Sequence, residues 1–257
     1  MLSVVIVTLN EENKIRDCLE SVKWADEIIV VDSKSQDHTV DIARKYTSKV
    51  YQQEYLGGGP MRNLGIARAD GDWILTIDAD ERVTDELHAE IQEILKSPQS
   101  DGYYIARKVY FLGKWIKHCG WWPDYALRLF RKSKGGYDEH LAHAKVLIKG
   151  KTARLKSPLL HFTVTSLSEC FTKINARTDL MVQENGASTS LFKTLSHAWV
   201  AFFSTYFIKR GFLDGKEGLI LAILSFYYTF MKYIKLWEKG HMKGMQMKAN
   251  WYHPNPQ

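Results

Sequence analysis

The sequence predicts an α/β protein, a sheet covered by helices on both faces, followed by a helical C-terminal region of different character. Three observations carry this. Strand and helix signals alternate over the first hundred residues, which implies parallel strands joined by crossover helices. The strand-like runs are apolar at nearly every position, as in strands buried on both faces. The charge is also unevenly divided. The chain has 257 residues and a formal charge of +6, yet residues 1–192 hold 26 basic and 26 acidic side chains, and residues 193–257 hold 9 and 3. The whole excess lies in the last quarter. A broad basic surface for nucleic acid is therefore not expected. Hydrophobic content of 45% and charged content of 25% belong to an ordinary globular chain and exclude wholesale disorder.

In order, residues 3–8 (SVVIVT) read as a buried strand and residues 12–22 as a helix with Ile15, Leu19 and Val22 on one face. Residues 27–31 form a second buried strand ending at Asp32. A helix over 39–46 and a short strand over 49–52 follow. Gly57-Gly58-Gly59 breaks the chain, and Pro60 suits the first turn of a helix through Ala67. Asp70-Gly71 makes a turn, residues 73–77 are a strand ending at Asp78, and Thr84 caps a helix toward Lys96. Ligands of such sheets bind at the carboxyl ends of the strands, where Asn10, Asp32 and Asp78 fall.

From Gly102 the texture changes. Residues 103–112 and 126–130 look like strands around Trp115, Trp121 and Trp122, and residues 166–186 read as a polar helix. Two apolar stretches follow, 195–208 and 218–231. Each has 14 residues, short of the roughly 20 that span a bilayer. Both are flanked by cations, which suits helices lying in a membrane interface; a helical subdomain with a solvated basic rim is the alternative. Three distant cysteines with no CxxC pair point to a reducing compartment, and residues 2–9 lack the basic leader of a signal peptide.

Familiar nucleotide motifs are missing: no Gly-Lys-Ser/Thr follows the glycine run, and no GxGxxG follows the first strand. Asp78-Ala79-Asp80 offers another way to hold phosphates, because two carboxylates beyond a buried strand can share one Mg²⁺ or Mn²⁺ with a diphosphate. An acidic helix-capping turn is the plainer reading. Asp32 can accept from a nucleobase imide or ribose hydroxyl, or cap a turn. Asn10 has the same two readings. Arg62 can reach a phosphate or pair with an acidic strand end. Trp121 and Trp122 can stack on a sugar ring or pack in the core. Arg128 and Arg131, three apart in a strand, face opposite sides, so one can point toward a phosphorylated acceptor; we assign that role to Arg128.

Together, SVVIVTLNEE (3–12), EIIVVDSKSQDHT (27–39) and RNLGIARADGDWILTIDADE (62–81) resemble inverting glycosyltransferases of family 2 with the GT-A fold. WWPDYALRLFRK (121–132) and YFIKRGFLDGKEG (206–218) resemble the lipopolysaccharide inner-core β-1,4-glucosyltransferases within that family. The resemblance implies a Rossmann-like mixed sheet over residues 1–165, with a nucleotide-sugar half (1–100) and an acceptor half (101–165), and a helical membrane-associating extension over 166–257. It also implies a UDP-sugar donor, a divalent metal (Mg or Mn), and transfer of a hexose, glucose above all, to a heptose of lipid A-core. Thr8, Asn10, Glu12 and Asp32 would surround the nucleoside, and Asp78 and Asp80 the ribose, diphosphate and metal.

The base is less plain. Relatives carry an acidic group in this region, often after histidine, whereas here His143 is followed by Ala144. Asp138 and Glu139 are the candidate bases, and His143 a candidate metal or phosphate contact. The expected location is cytoplasmic, peripheral on the anionic inner face of the cytoplasmic membrane. A polyprenyl-phosphate or other polysaccharide acceptor, or a sugar-nucleotide-binding membrane protein impaired in catalysis, are the alternatives.

Overall fold

All of β1 (Leu2–Thr8) except Val7 is buried, and all of β2 (Glu27–Asp32) is. The reason is visible in where alternate side chains go. Val4, Ile6, Ile28 and Val30 join one apolar cluster, while Val5, Ile29 and Val31 join a second. Successive strand residues point to opposite faces, so two clusters mean a sheet covered on both sides. This is seen in a computed structural model that describes residues 1–139, 144–184 and 190–251.

Between these strands lies α1 (Ile15–Val22), which buries Ile15, Cys18, Leu19 and Val22. Next come α2 (Thr39–Ala43), β3 (Val50–Gln52), α3 (Gly58–Arg68), β4 (Trp73–Asp78), β5 (Glu81–Val83) and α4 (Asp85–Lys96). Thr84 caps α4 as the sequence predicts, its Oγ1 accepting from the Leu87 amide at 3.1 Å. The three-residue β5 has no periodicity to announce it. Beyond it lie β6 (Gly102–Phe111), β7 (Lys114–Trp115), β8 (Asp124–Arg131), β9 (Gly135–Tyr137), β10 (Val146–Ile148), β11 (Thr152–Arg154) and β12 (Leu159–Val164).

The main sheet runs β3-β2-β1-β4-β8-β6-β12-β5. The first four strands are parallel, and β4–β8, β8–β6 and β12–β5 are antiparallel. β9 and β10 form a separate pair. Parallel strands continued by antiparallel ones make the mixed sheet of the GT-A fold implied by the resemblance. The register of β6 against β8 slips between Tyr103, opposite Leu129, and Tyr104, opposite Leu127. Arg128 is thus the extra residue of a β-bulge, a device that re-aims a side chain.

These elements, residues 1–115 with 121–163, form one compact unit; residues 116–120 and 164 onward form another. The second contains α5 (Leu167–Glu184), α6 (Leu191–Phe203), a π-helical turn over Ser204–Ile208, a 3₁₀ turn over Gly211–Asp214, and α7 (Gly215–Trp251). Asp214 holds the 116–120 loop, accepting from the Lys117 and His118 amides at 3.2 and 2.8 Å. The second apolar stretch is embedded in a longer helix than the sequence pattern suggests. By length and composition Gly211–Met242 suffices to cross a membrane. Toward its far end, however, Lys235 Nζ donates to Asn175 Oδ1, Thr178 Oγ1 and Asp179 Oδ1 at 2.7, 2.9 and 2.7 Å, tying α7 to the polar α5.

α3 approaches the sheet closely at Gly65, where a Cβ would lie 2.4 Å from Val5 Cγ1 and 3.1 Å from Val31 Cγ2. Both valines are buried and rotamer-restricted. Gly65→Ala should therefore cost about 1–3 kcal/mol through overpacking, measured by urea unfolding; an unchanged midpoint would mean that α3 can lift freely.

Candidate active site

A cleft of about 300 Å³ opens at the carboxyl ends of β1 and β4, lined among others by Thr8, Ser33, Arg62, Asp78, Asp80 and His161. A larger cavity of about 840 Å³ involves Leu2, Gly71 and Trp73 at the amino ends of the same strands. Ligands of open α/β sheets bind at the carboxyl ends, so the smaller cleft is the candidate site.

The Asp78–Glu81 turn is built from its own side chains: the Asp78 amide donates to Glu81 Oε2 at 2.9 Å, closing β4 onto β5. The two aspartates then diverge. Asp78 pairs through Oδ1 with Arg62 and through Oδ2 with Arg128 Nη2 at 2.9 Å. Burial alone would raise its pKa, but the two guanidiniums outweigh it and hold the carboxyl well below the usual range. Arg128 Nη2 also donates to Glu81 Oε1 at 2.7 Å. Glu81 is wholly buried, and this raises its pKa despite Arg128. Arg107 lies 3.8 Å from Glu81 and pairs with Asp124. The result is a chain of alternating sign: Arg62, Asp78, Arg128, Glu81, Arg107, Asp124.

Asp80 faces a different partner, His161 Nε2, at 3.5 Å. Burial lowers the His161 pKa, but the hydrogen bond and charge of Asp80, with Glu81 behind it, outweigh burial and raise it. Its Nδ1 is buried without a hydrogen-bond partner. A carboxylate and an imidazole side by side in the cleft fit Mg²⁺ or Mn²⁺, which take few protein ligands and complete their shell with substrate phosphates and water. Among the described residues no cluster of three His, Cys, Asp or Glu side chains could hold a metal ion. His161 was not singled out from the sequence. Only the pairing of β12 with β5, which sets His161 opposite Glu81, brings it here.

The nucleoside candidates fall into two groups. Thr8 lines the cleft, and its buried Oγ1 has no hydrogen-bond partner. Asp32, Asn10 and Glu12 instead grip the loop after β2. Asp32 is buried and accepts from the Ser35 amide and hydroxyl at 2.9 and 2.5 Å. Asn10 Oδ1 accepts from the Gln36 amide at 2.8 Å, and Glu12 from the His38 amide at 3.0 Å. The turn reading of Asn10 and Asp32 describes their present bonds; Ser33, at the start of that loop, reaches the cleft.

Arg62 takes the strand-end pairing, with its Nη1 also donating to Gly58 O at 2.9 Å. Gly59 lets the neighbouring chain pass, since a Cβ there would lie 1.8 Å from the Asp138 carbonyl and 3.2 Å from Ala144 Cβ. Asp138 and Ala144 thus lie against the N-terminus of α3. One Asp138 carboxylate oxygen accepts from the Lys145 amide at 3.2 Å, while Glu139 is exposed. His143 lies outside the described residues. Trp121 and Trp122, both half-buried, make edge contacts with Phe111 and Trp115.

Arg128 is placed differently from the sequence assignment. The bulge turns it inward, buried between Asp78 and Glu81, not out toward an acceptor. Arg131 faces away, near Asp101 and over the Trp73 ring. Arg128→Met should then destabilise the fold by about 3–5 kcal/mol, because buried Glu81 and half-buried Asp78 lose their shared cation. Chemical denaturation measures this; full stability with only a raised acceptor KM would restore the acceptor role.

The sequence model of "Glycosyl transferase family 2" matches residues 3–154. A Rickettsia conorii glycosyltransferase of uncharacterized function is 30% identical over 93% of this chain and 90% of its own. The lipopolysaccharide core biosynthesis glycosyltransferase LpsC of Rhizobium meliloti is 27% identical over 94% of each chain. Among solved structures, Staphylococcus aureus TarS with UDP-GlcNAc aligns over 95% of this chain and 92% of that one, at 16% identity and a TM-score of 0.49. From the match over residues 3–154 and the near full-length relatives, the chain belongs to glycosyltransferase family 2.

Proposed function

We propose that the protein transfers a hexose, glucose in the first instance, from a UDP-sugar to a heptose of the lipopolysaccharide inner core, with inversion, at the cytoplasmic face of the membrane. Family membership supports glycosyl transfer, and the lipopolysaccharide core role in the name of LpsC supports the acceptor class. The observation that carries the reading is the cleft at the ends of β1 and β4, where Asp80 and His161 stand beside Thr8 and Arg62. Residues 1–100 would bind the donor and 101–165 the acceptor.

The nucleoside would meet the Thr8 hydroxyl and the loop held by Asn10, Glu12 and Asp32. Asp80 and His161 would hold Mn²⁺ or Mg²⁺, with Asp78 setting the turn that presents Asp80. When bound, such an ion acts as a Lewis acid toward the departing diphosphate. In the transfer itself the acceptor oxygen bonds to the anomeric carbon as the bond from that carbon to the diphosphate oxygen breaks. The acceptor proton passes to a carboxylate, Asp138 or Glu139. Trp121 and Trp122 offer apolar faces for a sugar ring.

One observation favours impaired catalysis as a second reading. Ala144, where the resemblance implies a carboxylate if His143 aligns with the family histidine, lies against the start of α3, where the helix dipole would favour negative charge.

Two experiments test the reading. Calorimetry should show Mn²⁺-dependent UDP binding, weakened about tenfold or more in both Asp80→Asn and His161→Ala if these ligands hold the ion. Equal affinity in wild type and variants would remove them from the metal site. In a panel of UDP-sugars with heptose-containing core acceptor, UDP-glucose should turn over fastest, and Asp138→Asn or Glu139→Gln should lower kcat about 100-fold or more, whichever is the base. Ala144→Glu should raise the rate. No turnover with any donor, alongside intact UDP binding, would select the impaired reading.

A further inference from the structure

In the second unit the usual order of an amphipathic helix is reversed in α6. Where α6 packs on α7, the buried positions of α6 are small, Thr194 and Ala198, followed by Thr205 in the π turn, whose hydroxyl donates to Ser225 Oγ at 3.2 Å. On α7, Leu221, Ala222 and Leu224 are buried, while Gly218 packs closely on Gly211 and Asp214 of the 3₁₀ turn. The large apolar side chains point the other way: Phe192 is 81% exposed, Ile208 78% and Val200 65%, with Trp199, Phe203 and Phe207 exposed between them. Trp199, Phe203 and Phe207, four residues apart, form a ladder with ring centroids 5.9 Å apart at each step. A helix that folds against water turns its large apolar stripe toward the core. Small residues between helices with large ones outside is the arrangement of helices solvated by lipid.

We infer that the outer face of α6 and its π turn is a membrane-inserting surface that lies in the plane of an anionic lipid leaflet. Charge selects this occupant over a second copy of the chain. Lys193 at one end, and Lys209, Arg210 and Lys216 at the other, bracket the apolar face and are all exposed. They belong to the segment that carries the chain's entire net positive charge. Two such faces brought together would set like charges against each other, whereas anionic headgroups neutralise them. Length argues for lying in the plane. Residues 195–208 extend about 21 Å at 1.5 Å per residue, short of the roughly 30 Å hydrocarbon core. The inference extends the reading of a lipid-linked acceptor, but rests on this face alone and is measured without turnover.

The test is flotation of the full chain with vesicles of phosphatidylethanolamine and phosphatidylglycerol, and with neutral phosphatidylcholine vesicles. Wild type should float with the anionic vesicles. Phe207→Glu/Ile208→Glu changes only exposed side chains and should weaken partition about tenfold or more. Lys209→Gln/Arg210→Gln should weaken it on anionic vesicles while leaving neutral ones unaffected. Circular dichroism melts check that both variants fold. Undiminished flotation of the folded Phe207→Glu/Ile208→Glu protein overturns the assignment. So does failure of wild type to float together with a dimer in sedimentation velocity that the same variant abolishes. Loss of flotation with UDP binding intact would separate this surface from the donor site; intact flotation without UDP binding would count against the donor reading alone.

Discussion

The candidate site depends on one buried arrangement of charge. Glu81 is wholly buried and Asp78 partly buried at the β4–β5 turn, and Arg128 bonds to each. Isolated, either carboxylate would be costly to bury. The bulge in β8 solves this by turning a guanidinium into the sheet where a regular strand would have aimed it elsewhere. Because Arg128 belongs to the antiparallel half and Asp78 to the parallel half, the same bonds fix the register of the two where the cleft opens. Arg62 and Arg107 extend the alternation, each beside a carboxylate.

Much of the first half was legible in the sequence because its burial is two-sided and therefore simple. Runs such as SVVIVT and EIIVV must be covered on both faces, and only crossover helices do that. Thr84 capped its helix as read, and β1, β2 and β4 end at Thr8, Asp32 and Asp78 as the sequence placed them. What stayed hidden depends on pairings distant in sequence. β5 is three residues long, and its partner β12 is nearly eighty residues away, so nothing local marks His161 as a neighbour of Asp80. The bulge that re-aims Arg128 is a property of register between β6 and β8. A spacing argument correctly separated Arg128 from Arg131, but could not tell which one points inward.

The C-terminal region teaches a related lesson. Counting apolar residues gave two stretches too short to span a bilayer. Which face of each is apolar is what the packing adds. Composition cannot distinguish a helix with its large residues inside from one with them outside. Here the buried positions of α6 are Thr194 and Ala198, so its large side chains are left outside.

The Asp-Ala-Asp motif looks symmetrical on paper, but its two carboxylates have different physical lives. Asp78 is saturated: each oxygen meets a guanidinium, its proton affinity is suppressed, and the amide beneath it is tied to Glu81. Its contribution is to fix the turn and to bring Arg62 to the edge of the cleft. Asp80, two residues on, meets an imidazole whose second nitrogen is buried without a partner. Rigidity in the first aspartate lets the second be presented without reorganisation, the condition under which electrostatic stabilisation of a leaving group is most effective. On the proposed function, a substitution at Asp78 would act through stability and through Arg62, and one at Asp80 on the bound ligand. The motif is therefore better understood as a scaffold and a hand than as a pair of equivalent ligands.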